Sequence, residues 1–219
     1  MSARDDVLGR IRTAHTAAPP PDLPFDEIVR EYLTRSDLVG ADLVERLVDR
    51  LIDYKALVRH SAAVDLPAAV GAALGDRGVR RLAVPNGVPA EWLGDTHLQR
   101  LTDGGDTGRL TVEELDDCDA VLTGCAVAVA ETGTLILDGS ADQGRRVISL
   151  IPDYHLCIVR AHQIVGDIPE ALTRLDPARP LTMISGPSAT SDIELNRVEG
   201  VHGPRTLEVI IVDAAPGAS

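Results

Sequence analysis

The stretch Ile184-Ser185-Gly186-Pro187-Ser188-Ala189-Thr190-Ser191-Asp192-Ile193-Glu194 decides how the C-terminal part of the chain is predicted to fold. Gly200-Val201-His202-Gly203-Pro204-Arg205 follows it closely. Residues 181–184 form a short apolar run that predicts a buried strand. Gly186-Pro187 ends this strand, because proline removes a backbone donor and fixes φ. We therefore expect a strand, a turn rich in glycine and serine, and then a helix.

The predicted helix start offers groups that could bind an anion. Ser188, Thr190 and Ser191 can each cap free backbone N–H groups, and Ser191-x-x-Glu194 has the spacing of a capping box. Such a helix start also directs several N–H groups at one point, which suits a carboxylate or a phosphate. A capped helix that binds nothing and an anion site including Ser185, Gly186 and Asp192 both remain open. The nearby His202 and Arg205 favour the anion site.

Short apolar runs alternate with helical patterns over most of the chain. Strands are predicted at residues 81–84, 98–101, 120–123 and 207–212, with residues 56–60 as a further possibility. Helices are predicted at residues 41–58, 65–74, 111–115 and 169–175. Short strands separated by helices predict an α/β fold of three αβα layers, in which helices cover both faces of a mostly parallel sheet.

The middle of the chain departs from this alternation. Apolar runs at residues 125–130, 135–138, 147–151 and 155–159 follow one another with no helical pattern between them. This spacing predicts a hairpin, an antiparallel addition to the sheet, with glycines in its turns.

The first 39 residues look like a helical extension of the α/β domain. A short helical pattern at residues 3–17 precedes three prolines at 19–21, which predict a stiff spacer, and residues 25–33 predict a second short helix. We therefore divide the chain into an N-terminal helical extension (1–39), one α/β domain (40–213) and a disordered tail (214–219).

Composition argues against several classes of protein. The net charge is −13 and only five residues are aromatic, so neither a basic surface nor a stacking platform for nucleic acid is indicated. Cys118, Cys125 and Cys157 contain no C-x-x-C spacing, so we predict no disulfide framework, no metal site and no cofactor. The N-terminus lacks a signal-peptide pattern and no apolar run approaches transmembrane length, which predicts a cytoplasmic protein without a membrane segment.

Four loops at predicted strand ends carry the candidate site residues, because ligands of open α/β sheets bind where such loops converge. Glu131 is the only acid in a run of alanine and valine, and it could be a general base or a solvent-facing hairpin residue. Thr132, Gly133 and Thr134 follow it as candidate binding residues. His202 could be an acid or base, or a turn residue. The loop around Gln143, Arg145 and Arg146 could bind a carboxylate or be solvated.

Several of these motifs together resemble a known family. They are Glu131-Thr132-Gly133-Thr134, Pro152-Asp153-Tyr154-His155-Leu156, the stretch 185–194 and Gly200-Val201-His202-Gly203-Pro204-Arg205. In this order they closely resemble the lactate utilization protein C family, which carries the LUD domain, over roughly residues 40 to 213. The resemblance implies a fold like that of the sugar-phosphate isomerase and CoA-transferase superfamily. It also implies a role in oxidising L-lactate to pyruvate with two iron–sulfur partner proteins.

Two hypotheses of different class follow from the resemblance. The chain lacks the cysteine-rich C-terminal segment of the larger LUD-containing partner, so as a subunit it would support lactate oxidation without holding a cluster. Alternatively, it is a stand-alone enzyme or binding protein for a small carboxylate or sugar phosphate, with Glu131 as base. A fold shared by both classes cannot choose between them.

Overall fold

The structure, a computed structural model, describes residues 2–17, 24–94, 96–191, 197–199 and 202–213. The chain divides into two compact units, Met1–Leu33 and Thr34–Ser219. The division after residue 39 stays a prediction, and the proposed proline spacer and C-terminal tail lie outside the described residues.

The first unit contains the predicted N-terminal helix but only one turn of the second. Helix α1 spans Ala3–Ala17, and a 3₁₀ turn spans Phe25–Glu27. The helix predicted over residues 25–33 is therefore wrong beyond that turn. A short helix is stabilised mainly by packing an apolar face, and Ile28, Val29 and Leu33 are all exposed.

The second unit is built from short strands and four described helices. The helices are α2 (Ala41–Asp53), α3 (Leu66–Asp76), α4 (Val112–Asp116) and α5 (Ile168–Thr173). The described strands are β1 (Leu57–Ser61), β2 (Arg81–Pro85), β3 (Gln99–Asp103), β4 (Ala120–Thr123), β5 (Val127–Val129), β6 (Thr134–Leu137), β7 (Tyr154–Arg160), β8 (Ile164–Val165), β9 (Thr182–Ile184), β10 (Ala189–Ser191), β11 (Arg197–Glu199) and β12 (Thr206–Val212).

The main sheet has six strands in the order β1-β12-β7-β4-β2-β3. All of its neighbouring strands run parallel, so the predicted mostly parallel sheet is confirmed. Its central strands β7 and β4 are buried along almost their whole length, because a parallel sheet is covered on both faces.

A second sheet holds the predicted hairpin. Strands β5 and β6 pair antiparallel, and the four-stranded sheet has the order β8-β5-β6-β9. The hairpin is therefore present but belongs to a separate sheet. Two of the four apolar runs do not belong to the hairpin. The run predicted at residues 147–151 falls largely in a 3₁₀ turn at residues 146–149, and the run at residues 155–159 is part of β7 in the main sheet.

Each face of the main sheet is covered by its own layer. On one face, α3 and the turn carrying Trp92 pack against alternate residues of β2, β4, β7 and β12. On the other face, α2 and the second sheet pack against β7 and β12, while α4 and the 3₁₀ turn at residues 146–149 pack against β2 and β4. The three-layer α/β prediction is confirmed, and the helical layer on the second face is shared with a small sheet.

The stretch after Gly186-Pro187 forms a strand where the sequence predicts a helix. Residues 189–191 form β10, which pairs antiparallel with β11. The backbone N–H of Ser188 donates to the carbonyl of Pro204 at 2.8 Å, which holds the two flanking segments together. Pairing with β11 therefore overrides the capping signal, and the expected row of free helical N–H groups is absent from residues 189–191.

No described helix is both long enough and apolar enough to cross a bilayer.

Candidate functional site

A cavity of about 320 Å³ lies over the first residues of β7 and β12, and we call it the His155 pocket. Strand β9 with the turn that follows it forms one wall, and the 3₁₀ turn Arg146–Ser149 forms another. The polar residues that line the pocket include Arg146, Ser149, His155, Ser185, Ser188 and His202. It therefore collects parts of three sequence-predicted loops.

Arg146 gives this pocket its charge. Its side chain makes no ion pair or hydrogen bond with any residue that the structure describes. No carboxylate occurs among the described residues that line the pocket. In a chain with a net charge of −13, a pocket with a guanidinium and no described counter-charge favours an anion.

His155 is a neutral group at neutral pH. It is 1% exposed, and burial lowers the pKa of its imidazole to about 4, because a charged ring would lose its hydration. The ring nitrogen Nε2 shares a hydrogen bond of 2.8 Å with the hydroxyl of Thr123 on β4. Its Nδ1 makes no hydrogen bond with a described residue, so the imidazole can still exchange one hydrogen bond with a ligand.

Ser185 joins the His155 pocket to the hairpin. Its hydroxyl shares a 2.8 Å hydrogen bond with Thr134, which in turn shares one of 2.8 Å with Thr132. The neighbouring Gly186 has φ +89°, and a Cβ there would lie 2.7 Å from the Cβ of Tyr54. The close approach and the hydroxyl chain together fix the turn that carries Ser185.

The two quoted motifs meet through Ser188 and His202. The backbone N–H of His202 donates to the Ser188 hydroxyl at 3.1 Å, and both residues line the His155 pocket. The neighbouring Arg205 lies beside a third cavity that also contains His202 and Arg146, and it pairs with Asp153 at 3.3 Å. Both partners of that pair are more than half exposed, so the guanidinium remains accessible.

A second cavity, of about 390 Å³, adjoins the first, and we call it the Arg109 pocket. It lies at the carboxyl ends of β2 and β3, beside Asn86 and Asp103. Arg146, Ser149 and Thr182 line both cavities, so the two share a wall. The Arg109 pocket therefore lies where ligands of open α/β sheets bind, at the carboxyl ends of strands. The His155 pocket instead lies at the amino-terminal ends of β7 and β12. We call the two adjoining pockets together the cleft.

Glu131 does not line any described cavity. Its carboxylate pairs with Arg50 at 3.3 Å and with Arg46 at 3.5 Å, and it is nearly half exposed. Arg50 also donates to the Glu131 carbonyl at 3.1 Å, so helix α2 anchors the hairpin turn containing Gly133. The catalytic role of Glu131 stays a prediction.

Only some of the remaining predicted site residues lie at or next to the His155 pocket. Ser185, Gly186, Ser188 and His202 come together at the His155 pocket, and Thr132 and Thr134 connect to it through Ser185. Thr190 and Ser191 lie on β10, and Asp192 lies outside the described residues.

The sequence did not indicate His155 or Thr123 as site residues. It left Arg146 either in a carboxylate-binding loop or in a solvated loop. The signal for Arg146 was a basic loop between glycine and apolar residues. His155 gave no such signal, because a histidine inside an apolar strand is indistinguishable in sequence from an ordinary core residue.

The LUD domain family model matches residues 92–212, which include the main-sheet strands β3, β4, β7 and β12 and nearly all of the residues around both pockets. The chain belongs to the LUD domain family. Its predicted membership is therefore confirmed.

Known relatives match either nearly the whole chain or about half of it. A protein called lactate utilization protein C from Deinococcus radiodurans is 47% identical over 96% of this chain and 95% of its own. Lactate utilization protein C of Bacillus subtilis is 34% identical over 49% of this chain and 48% of its own. The crystal structure of a DUF162 family protein from Deinococcus radiodurans is 45% identical, with a TM-score of 0.66 over 80% of this chain and 99% of that one. This similarity agrees with the fold described above.

Proposed function

We propose that this LUD domain protein works in lactate utilization and that the His155 pocket binds the carboxylate of a small hydroxy acid, L-lactate or its product pyruvate. The observation that carries the proposal is Arg146, a guanidinium with no described partner in a pocket without a described carboxylate. The names of the relatives supply the pathway.

Each end of L-lactate has a matching group in the pocket. The Arg146 fork would hold the carboxylate by two parallel N–H···O bonds. The neutral imidazole of His155 would meet the ligand hydroxyl, and the hydroxyls of Ser185 and Ser188 would complete the polar lining. With its pKa lowered to about 4, His155 serves better as a hydrogen-bond partner than as a strong base.

We propose further that the protein acts as a cytoplasmic subunit alongside iron–sulfur proteins that carry the electrons. All three cysteines are buried, and Cys118 lies in a different core cluster from Cys125 and Cys157. A hydrogen bond from the Cys125 thiol to Cys157, together with burial, raises the pKa of Cys125 well above its usual value. Cluster ligands must be thiolates, so this chain would support the oxidation of L-lactate to pyruvate without holding a cluster itself.

Growth of the native host tests this function. Deleting the gene is expected to abolish growth on L-lactate as the sole carbon source while leaving growth on pyruvate intact. The wild-type gene should restore growth on L-lactate and the Arg146→Gln gene should not, because glutamine keeps the polarity but lacks the charge and the fork. Unimpaired growth of the deletion strain on L-lactate would contradict the proposal.

A separate experiment on the purified protein tests whether it works with iron–sulfur partners. Alone, it is expected to be colourless and to oxidise no L-lactate, whereas a tagged copy recovered from lactate-grown cells should bring down proteins with iron–sulfur absorbance. A coloured protein with dehydrogenase activity of its own would instead favour the stand-alone enzyme.

A further inference from the structure

We propose that the Arg109 pocket is a second anion subsite, so that the ligand of the whole cleft carries two anionic groups. One is the carboxylate in the His155 pocket, and this half rests on the proposed function. The other, a phosphate or a second carboxylate, binds beside Arg109.

The charges around the Arg109 pocket leave an excess of arginine. Its lining includes four arginines and two aspartates, namely Arg109, Arg145, Arg146, Arg179, Asp103 and Asp138. Each aspartate already has an arginine of its own. Arg145 bonds Asp103 through two nitrogens at 2.8–3.1 Å, and Arg179 bonds Asp138 at 2.9 Å.

Arg109 and Arg146 are left without an ion-pair partner among the described residues. Asp103 is hydrogen-bonded to Arg145: burial alone would raise the pKa of its carboxyl, but hydrogen bonds from Arg145 and the Leu110 N–H lower it, as do the charges of Arg145 and, to a smaller extent, Arg109. Arg109 therefore feels the Asp103 charge but makes no hydrogen bond or ion pair with it. Arg146 lines both pockets and is assigned to the carboxylate in the His155 pocket, which leaves the Arg109 guanidinium to bind the second anionic group.

The walls of this pocket are fixed by close backbone contacts. The N–H of Gly87 donates to the carbonyl of Ala141 at 3.0 Å, and a Cβ at Gly87 would lie 2.4–2.6 Å from atoms of Ala141. The N–H of Gly124 donates to the carbonyl of Asp142 at 2.9 Å, and Gln143 accepts from the Asp138 N–H at 2.6 Å. The loop at residues 138–146 is therefore held in place before any ligand binds, which reduces the entropic cost of binding.

The two pockets together are much larger than a single L-lactate molecule requires. L-lactate has six non-hydrogen atoms and needs at most about 180 Å³, if each takes the roughly 30 Å³ that a water molecule occupies in the liquid. Each of the two pockets exceeds this volume, and Arg146 and Ser149 line both of them. A three-carbon acid bound in the His155 pocket therefore leaves the Arg109 pocket free for a second anionic group.

Titration calorimetry with inorganic phosphate tests the subsite directly. Wild-type protein should bind phosphate, and Arg109→Gln should weaken that binding about tenfold or more, as expected for a lost charge-assisted contact. Arg80→Gln is the matched control, because it removes the same charge from an exposed residue just before β2, at the end of that strand away from Asn86. Its effect should be small.

Three outcomes would overturn the subsite: no phosphate binding by the wild type, no loss in Arg109→Gln, or an equal loss in Arg80→Gln. The last would mean that only the overall charge matters. Because Arg109 is exposed, the substitution should not disturb folding, and Arg109→Lys should retain part of the affinity.

Probes that carry two anionic groups identify the ligand class and separate this inference from the proposed function. We expect 3-phosphoglycerate or L-malate to bind more tightly than L-lactate, and the better of the two shows whether phosphate or carboxylate is preferred. In Arg109→Gln, the advantage of that probe over L-lactate should disappear; its persistence would overturn the second subsite. Phosphate binding that depends on Arg109, without any lactate binding, would reject the proposed function and leave the second subsite standing.

Discussion

Replacing Glu208 with alanine is expected to lower the free energy of unfolding by about 3 kcal/mol, the largest single-residue effect that we predict. Glu208 lies on β12 and is 1% exposed. Its carboxylate accepts hydrogen bonds from Arg59 and from the Tyr154 hydroxyl, the latter at 2.9 Å, and Arg77 approaches to 3.5 Å.

The reason for this large effect is what alanine would leave behind. The Tyr154 hydroxyl would lose its partner in a buried position, and two arginines would lose the charge that they face. Burial, the largest cause of the raised pKa of Tyr154, persists in the variant, so the phenol should stay protonated and cannot replace the lost negative charge. Both arginine side chains are 34% exposed and can regain some water, which keeps the effect near the lower end of the range for buried pairs.

Urea unfolding measures this prediction, with Asp153→Ala as the control. Asp153 also pairs with an arginine, but both partners are more than half exposed, so its loss should cost no more than about 1 kcal/mol. Glu208→Gln should fall between the two, because an amide oxygen still accepts hydrogen bonds but carries no charge. Equal losses in Glu208→Ala and Asp153→Ala would show that burial of the cluster contributes nothing.

The second large effect is a loss of stability in acid that depends on His155. The pKa of this residue is about 4 in the folded protein and near 6.5 in an unfolded chain. Between these values the unfolded chain takes up a proton that the folded protein does not, so stability falls as the pH is lowered from about 6.5 towards 4. The loss of unfolding free energy due to His155 should reach about 2 kcal/mol at pH 5 and about 3 kcal/mol at still lower pH.

The contribution of His155 can be isolated by comparing how the free energy of unfolding changes with pH in the wild type and in His155→Gln. Glutamine is neutral at every pH and can still bond the Thr123 hydroxyl, while the other acids and bases titrate alike in both proteins. Stability should be measured by urea unfolding at pH 7 and pH 5. We expect the wild type to lose about 2 kcal/mol more than the variant over this interval. Parallel losses would mean that His155 is hydrated enough to titrate normally.

Local sequence signals predicted the main sheet well because its strands satisfy them locally. The run at residues 120–123 coincides with β4, and the helix predicted at residues 111–115 is present with a capping box at Thr111. The signal failed at residues 189–191, where serine and threonine suit a helix cap and a strand end equally. There the decision comes from pairing with residues 197–199, and no local pattern contains that partner.

The candidate site depends even more on distant contacts. His155 is paired with Thr123 from 32 residues away, and Arg146 matters because no described carboxylate reaches it. Glu131 attracted attention as the one acid in an apolar run, yet its carboxylate meets Arg46 and Arg50 from α2, 81 or more residues earlier in the chain. Residue type in sequence indicates which groups are available, but their partners and cavities emerge only in the folded chain.

The central claim is that Arg146 holds the carboxylate of the ligand, and calorimetric titration with L-lactate and pyruvate tests it most directly. We predict that wild-type protein binds at least one of the two. Arg146→Gln should reduce that affinity about 10- to 150-fold, which corresponds to the roughly 1.5–3 kcal/mol of a charge-assisted hydrogen bond, and Arg80→Gln should leave it nearly unchanged. Affinity in Arg146→Gln equal to that of the wild type, or no binding of either acid by the wild type, would contradict the account.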